Sequence, residues 1–120
     1  MSVSIIGGSV SPSTALALNT QTGTTYTFVL TDANNTLVTA SNASAQTYTI
    51  PPNSSVAYPI GSQINIIQIG AGQVSFAQGS GVTIASNGAT STAPKLRVQY
   101  SSASAVKVNT DSWYVIGDIA

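Results

Sequence analysis

Residues 49–76 read TIPPNSSVAYPIGSQINIIQIGAGQVSF, the most apolar part of a chain of 120 residues. The segment has no His, no Cys and no charged side chain. Pro51-Pro52-Asn53-Ser54-Ser55 halts strand pairing, because proline has no amide donor and belongs at strand ends or edges. Pro59 and Gly61 punctuate again before Gln63–Ile69. In that run Ile64 and Ile66 share one parity, and Ile67 and Ile69 the other. A bulge at Ile66–Ile67, or burial on both faces, accounts for the slip. Gly70-Ala71-Gly72 reads as a tight hairpin into Gln73–Gln78.

Outward from this segment the pattern stays β. Thr24–Asp32 alternates, with Tyr26, Phe28 and Leu30 on one side and Thr25, Thr27 and Thr31 on the other. Leu37–Ala40 and Thr47–Ile50 continue it, and Asn42–Gln46 supplies the turn between them. Val82–Ala85 reads as a short strand and Ser86–Pro94 as the longest loop. Lys95–Ser101 places Leu96, Val98 and Tyr100 inward and Lys95, Arg97 and Gln99 outward. Ala105–Val108 pairs with it, and Trp113–Ile116 closes the chain after a turn at Asn109-Thr110-Asp111. No helical stripe, heptad or strict repeat occurs. About ten short strands separated by regular turn signals predict an all-β fold, a single antiparallel β-sandwich or barrel of jelly-roll type. Residues 1–23, with Gly7-Gly8, Pro12 and Gly23, read as an N-terminal arm with edge strands. Residues 24–120 form the sandwich.

Charge narrows the function. Charged residues make up 5% of the chain, against roughly 25% in an ordinary soluble domain. They are Asp32, Lys95, Arg97, Lys107, Asp111 and Asp118. Three basic residues that do not cluster argue against nucleic acid as partner and against an anionic membrane surface. Neither a signal-peptide pattern at the N-terminus nor an apolar run long enough to span a bilayer is present. With no cysteine there is neither a disulfide nor a thiolate site. A surface so poor in charge is poorly soluble by itself, and packing against other chains is one remedy.

Chemistry has little to work with. A hydrolase needs a nucleophile and a base, and the chain lacks His. A Ser–Lys pair would have to use Lys95 or Lys107, both at outward strand positions where solvated charge is expected. Paired carboxylates would have to come from Asp32, Asp111 and Asp118, each beside a turn residue and read as a turn aspartate. Neither zinc-type nor calcium-loop spacing occurs, and the glycines at 70, 72, 79 and 81 form no phosphate loop. Catalytic, cofactor and metal sites are therefore all expected to be absent. Asn34, Asn42 and Asn53 begin N-x-S/T triplets that are expected to stay unmodified without a secretion signal. Trp113, Tyr114 and Tyr100 are the aromatics able to stack on a sugar, with Trp113 read first as a core anchor.

Two stretches, Asn42–Phe76 and Lys95–Ala120, carry a likeness. The turn and strand residues are Ile50-Pro51-Pro52-Asn53, Pro59-Ile60-Gly61-Ser62-Gln63-Ile64, Gly70–Val74, Leu96–Tyr100 and Trp113–Asp118. Together they resemble a β-domain of tailed-bacteriophage virion proteins, found in capsid-decorating (cement), head-fibre and tail-fibre proteins. The resemblance covers about two thirds of the chain. It implies a structural virion role and a homotrimer, and brings no binding residues with it. Under that reading the partners are the major capsid protein or another virion protein, and further copies of the chain. The alternative is a small fibre or receptor-binding protein. Its loops at Asn34–Asn35, Ser54–Ser55 and 86–92 would then touch a host surface glycan. A non-viral carbohydrate-binding module is a third class, and an enzyme is the least supported.

Overall fold

The computed structural model describes residues 15–120, and the first part of the expected N-terminal arm lies outside them. Nine strands follow one another: β1 (Ala17–Gln21), β2 (Thr25–Thr27), β3 (Thr36–Ala40), β4 (Gln46–Ile50), β5 (Gln63–Gln68), β6 (Val74–Gln78), β7 (Thr83–Ala85), β8 (Ser102–Asn109) and β9 (Ser112–Gly117). Among the described residues one 3₁₀ turn, Leu30–Ala33, interrupts them. They build a six-stranded sheet in the order β1-β3-β5-β8-β9-β7 and a three-stranded sheet in the order β2-β4-β6. The all-β, sandwich-like reading therefore holds.

The pairing direction does not match expectation. Through the first six strands the chain alternates between the sheets, and β1-β3-β5 and β2-β4-β6 both run parallel. Antiparallel pairing is confined to β5–β8 and β8–β9, and β7 adds to β9 in parallel. This is a two-faced coil closed by an antiparallel pair, and not an antiparallel jelly roll. Short corners at 22–24, 41–45 and 69–73 carry the chain across to the opposite sheet. Longer returns bring it back to the starting side, so each new strand lies beside its predecessor with the same polarity.

The corners show why Gly70-Ala71-Gly72 is not a hairpin. Successive corners stack. Ser41 donates its backbone N–H to Gln21, Ile69 to Ala40 and Gly72 to Asn42, at 2.9, 2.7 and 2.9 Å. A Cβ on Gly70 would run into the backbone of Asn42, and one on Gly72 into that of Ser44. Asn42 locks the layer above through Nδ2 donating to the Thr22 carbonyl at 2.7 Å. Two buried glutamines satisfy backbone groups inside the corner. Gln68 Oε1 accepts the Val74 N–H at 3.0 Å, and Gln46 Nε2 donates to the Gly72 carbonyl at 3.2 Å.

Between the sheets, period-two alternation supplies the core. Tyr48 and Phe76 are neighbours in register on the smaller sheet, and Phe28 packs on both at centroid separations of 5.7 and 6.3 Å. Val38, Ile64, Ile66, Ala105, Trp113 and Val115 face them from the larger sheet. Ile67 sits on the outer face of β5, half-shielded by its neighbours, and the strand carries no bulge. The ladder irregularity falls instead between Lys107 and Asn109.

The segment after Pro94 also departs from the sequence reading. Leu96 is buried, but Val98 and Tyr100 are exposed, and Tyr100 adopts a left-handed φ of 69°. Residues 95–97 make only short bridges, to β6 on one side and to residues 118–120 on the other. The partners of β8 are therefore β5 and β9. Residues 98–101 turn, tied by Ser101 N–H to the Val98 carbonyl at 3.0 Å.

Stacked corners make a sharp prediction. Gly72→Ala places a methyl group against the Ser44 backbone and should lower stability by about 1–3 kcal/mol, as overpacking does. Urea denaturation measures it. An unchanged midpoint would mean that the corners do not stack.

Candidate functional site

The six charged side chains divide into two buried groups and a few rim positions. Asp32 is buried at 1% exposure, and it is not an ordinary turn residue. Its carboxyl accepts from Asn19 Nδ2 at 2.8 Å, the Tyr26 hydroxyl at 2.7 Å and the Val29 N–H at 2.9 Å. Burial and the Asp32 hydrogen bond push the Tyr26 hydroxyl up to about 12. Lys107 is the clearest correction. Expected outward on β8, it is 2% exposed and points between the sheets. Lys95 is exposed, as expected.

Asp111 reaches far from its turn, accepting the Asn53 N–H at 2.8 Å. Asp118 sits on the rim and pairs with Arg97 through two bonds of 2.7 and 3.0 Å, with the Ser101 hydroxyl donating at 2.6 Å. The Arg97 guanidinium, and then Ser101, hold the Asp118 carboxyl below the usual carboxylate range. Each aspartate is thus committed to hydrogen bonds within the fold. Among the described residues no group of three or more His, Cys, Asp or Glu side chains could hold a metal ion. Among those residues, too, no helix is long and apolar enough to cross a membrane.

The aromatics do not converge. Trp113 is in the core, edge-on to Tyr58 at 5.2 Å. Tyr114 projects from the opposite face of β9. Asn42 and Asn53, two of the triplet asparagines, use their side-chain oxygens within the fold, toward Ser44 and Lys107. The surface depressions are shallow, the one beside Ala85, Ser86 and Tyr114 measuring about 420 Å³.

What remains is the outer face of the six-stranded sheet. Register places Leu18, Leu37, Asn65, Ser104 and Ile116 in one row across five strands. Beside it run Thr20, Thr39, Ile67 and Ser102, and on the other side Gln63, Val106, Tyr114 and Ala85. None of these positions is charged. Leu18, Tyr114 and Ile116 are 69, 54 and 59% exposed. At the centre the polar groups satisfy one another. Gln63 Nε2 donates to Asn65 Oδ1 at 2.8 Å, and the Ser104 hydroxyl to the same oxygen at 2.6 Å. A flat face with apolar flanks, a self-paired polar centre and no charge can be desolvated at little cost. Depletion of charge is also what distinguishes the core of a protein–protein interface from ordinary surface. The period-two signal in β3, β5, β8 and β9 was the clue to this face. Reading it required knowing that these strands share one sheet.

No protein-family model matches the chain, and neither does any curated protein or solved structure. The functional reading therefore rests on the residues and their placement.

The rim ion pair gives a test of the electrostatics. With its folded-state value lowered, Asp118 stabilises the fold above the ordinary carboxylate range. That contribution fades as pH falls below about 4. Arg97→Gln should move the Asp118 midpoint upward in a carboxyl carbon NMR titration. An unmoved midpoint would show that the Arg97 contact does not persist in solution.

Proposed function

We propose that the protein is a non-enzymatic structural component of a bacteriophage virion, a capsid-decorating protein that binds the assembled shell and stabilises it as a homotrimer. The observation that carries this reading is the outer face of the larger sheet. None of its paired outward positions is charged, the Arg97–Asp118 pair standing at the rim, whereas a surface built to stay in solution mixes charges of both signs over its area. The virion assignment itself comes from the likeness of the Ile50–Asn53, Gly70–Val74 and Leu96–Tyr100 stretches to phage β-domains. The sheet face supports the adhesive part of it.

Binding would act by mass action. A protein that recognises only the assembled shell stabilises that state in proportion to RT ln(1 + [L]/Kd), and many copies multiply the effect. A second feature suits assembly. Among the described residues β1 and β2 each pair on one side only, with β3 and β4. Edges left unpaired by the described residues would offer backbone groups to a neighbouring strand from the shell or from another copy. On the far side of the smaller sheet, residues 95–97 already cover the β6 edge.

A different surface would serve the alternative, adhesion to a host glycan. The outer face of the smaller sheet aligns Thr25, Thr47 and Ser75 in register, with Thr27, Thr49 and Ala77 beside them. Hydroxyls spaced about 4.8 Å apart from strand to strand can hydrogen-bond sugar hydroxyls.

Co-sedimentation with purified shells separates the two. Ile116→Lys and Leu18→Lys should weaken shell binding tenfold or more, about 1.4 kcal/mol, while Thr49→Lys leaves it intact. Light scattering should return three chain masses. Loss of binding with Thr49→Lys alone, or saturable binding blocked by host polysaccharide, would reverse the assignment.

A further inference from the structure

Lys107 is the group that neither the fold nor the shell-binding face explains. Its side chain is 2% exposed. The ammonium nitrogen donates to Asn53 Oδ1 and to the Tyr58 carbonyl, each at 2.7 Å. The ion pair found among the described residues is Arg97–Asp118, so Lys107 has no carboxylate at ion-pairing distance. Buried charges are ordinarily paired, and two neutral carbonyls compensate an ammonium only in part. A purely structural role would be filled better by an apolar side chain of similar volume.

We propose that Lys107 and Asn53 join in an intramolecular isopeptide bond. The reactants are already placed. The amide carbon Cγ of Asn53 lies one C=O bond, about 1.2 Å, from the oxygen that Lys107 touches, so Nζ sits within about 4 Å of it. Productive contact needs about 3–3.5 Å. Both partners are held from behind. Lys107 lies on β8 between its antiparallel neighbours β5 and β9. Asn53 is fixed through its N–H, which Asp111 Oδ1 accepts at 2.8 Å. Tyr58 and Trp113, 3 and 2% exposed, pack edge-on to each other, Trp113 as the register partner of Lys107 on β9 and Tyr58 as the residue whose carbonyl holds Nζ.

The step balances without any added reagent. Nζ first gives up one proton to become an amine, then forms a bond to Cγ as the Cγ–Nδ2 bond breaks. Nδ2 departs as ammonia and takes up the protons that Nζ sheds. The lysine ammonium and the asparagine amide become a secondary amide and an ammonium ion, and nothing is oxidised or reduced. Asn53 is half-buried and Ser54 and Ser55 beside it are exposed, so the leaving group has a short way to solvent. The one proton left on Nζ still has the Tyr58 carbonyl as acceptor. The product removes an unpaired buried charge. It also ties the long β4–β5 return to β8, across a sequence separation of 54 residues. The inference stands apart from the shell-binding proposal, since it concerns the interior and not the outer face.

Intact mass spectrometry of the denatured protein tests it. The expected mass is that of the linear chain, after any removal of Met1, less one ammonia. Proteolysis should release a branched peptide joining the Lys107 ε-amine to the Asn53 side chain, and Lys107→Met should restore the linear mass. A linear mass in the unmutated protein would overturn the proposal. So would an ammonia deficit that maps elsewhere, such as a cyclised Asn87-Gly88, or one that survives Lys107→Met.

Discussion

The corner at residues 69–73 is the constraint on which the architecture depends. Each coil crosses from one sheet to the other within a few residues, and the crossing must lie flat on the one before it. Gly70 and Gly72 allow that approach because a Cβ at either would collide with the Asn42–Ser44 backbone. Once the corners stack, the registers of both sheets follow together: Gln46 faces Val74 on one and Ala40 faces Gln68 on the other. Coil length varies, since Ala17 pairs with Thr36 but Leu37 with Asn65, and both the corners and the returns differ in length from coil to coil. That is why the chain shows no repeat to the eye.

A coil of this kind buries polar groups, and their treatment separates the interior from the surface. Gln46 and Gln68 complete the backbone hydrogen bonding of the corners. Asp32 is satisfied by three donors. From Asp32 a chain of bonds runs through Val29 to the Tyr58 hydroxyl, and from the Tyr58 carbonyl through Lys107 to Asn53 and Asp111. It links the first coil to the β8–β9 turn. Burial and the Asp32 charge both raise the Tyr58 hydroxyl well above its ordinary value, so that link stays protonated. Three of the six charged residues, Asp32, Lys107 and Asp111, are spent inside this network, and the paired outward positions of the larger sheet carry none.

Strand positions were largely legible. Alternation put Tyr26, Phe28 and Leu30 on one side; Tyr26 and Phe28 do pack together against Tyr48, but Leu30 is 54% exposed, because the 3₁₀ turn that begins there breaks the period of two. Strand partners were not legible, because a period of two says which face a residue occupies and nothing about which strand lies beside it. Gly-Ala-Gly fits a hairpin and a flat corner equally well at the level of sequence; the backbone it must pass decides. Lys107 followed the same logic. Its parity on β8 is that of Ala103 and Ala105, both buried. Solvation favours an outward lysine, but packing follows the parity. The candidate face was hidden for the opposite reason. Its residues are unremarkable one by one, and only the register gathers them.

We propose an adhesive block whose larger sheet is turned toward a partner. A cryo-EM reconstruction of a particle carrying the protein tests this most directly. It should show the row from Leu18 to Ile116 buried against the shell and the Thr25–Thr47–Ser75 row facing solvent. A reconstruction with the threonine face or the 86–92 loop against the shell, and the larger sheet bare, would contradict it.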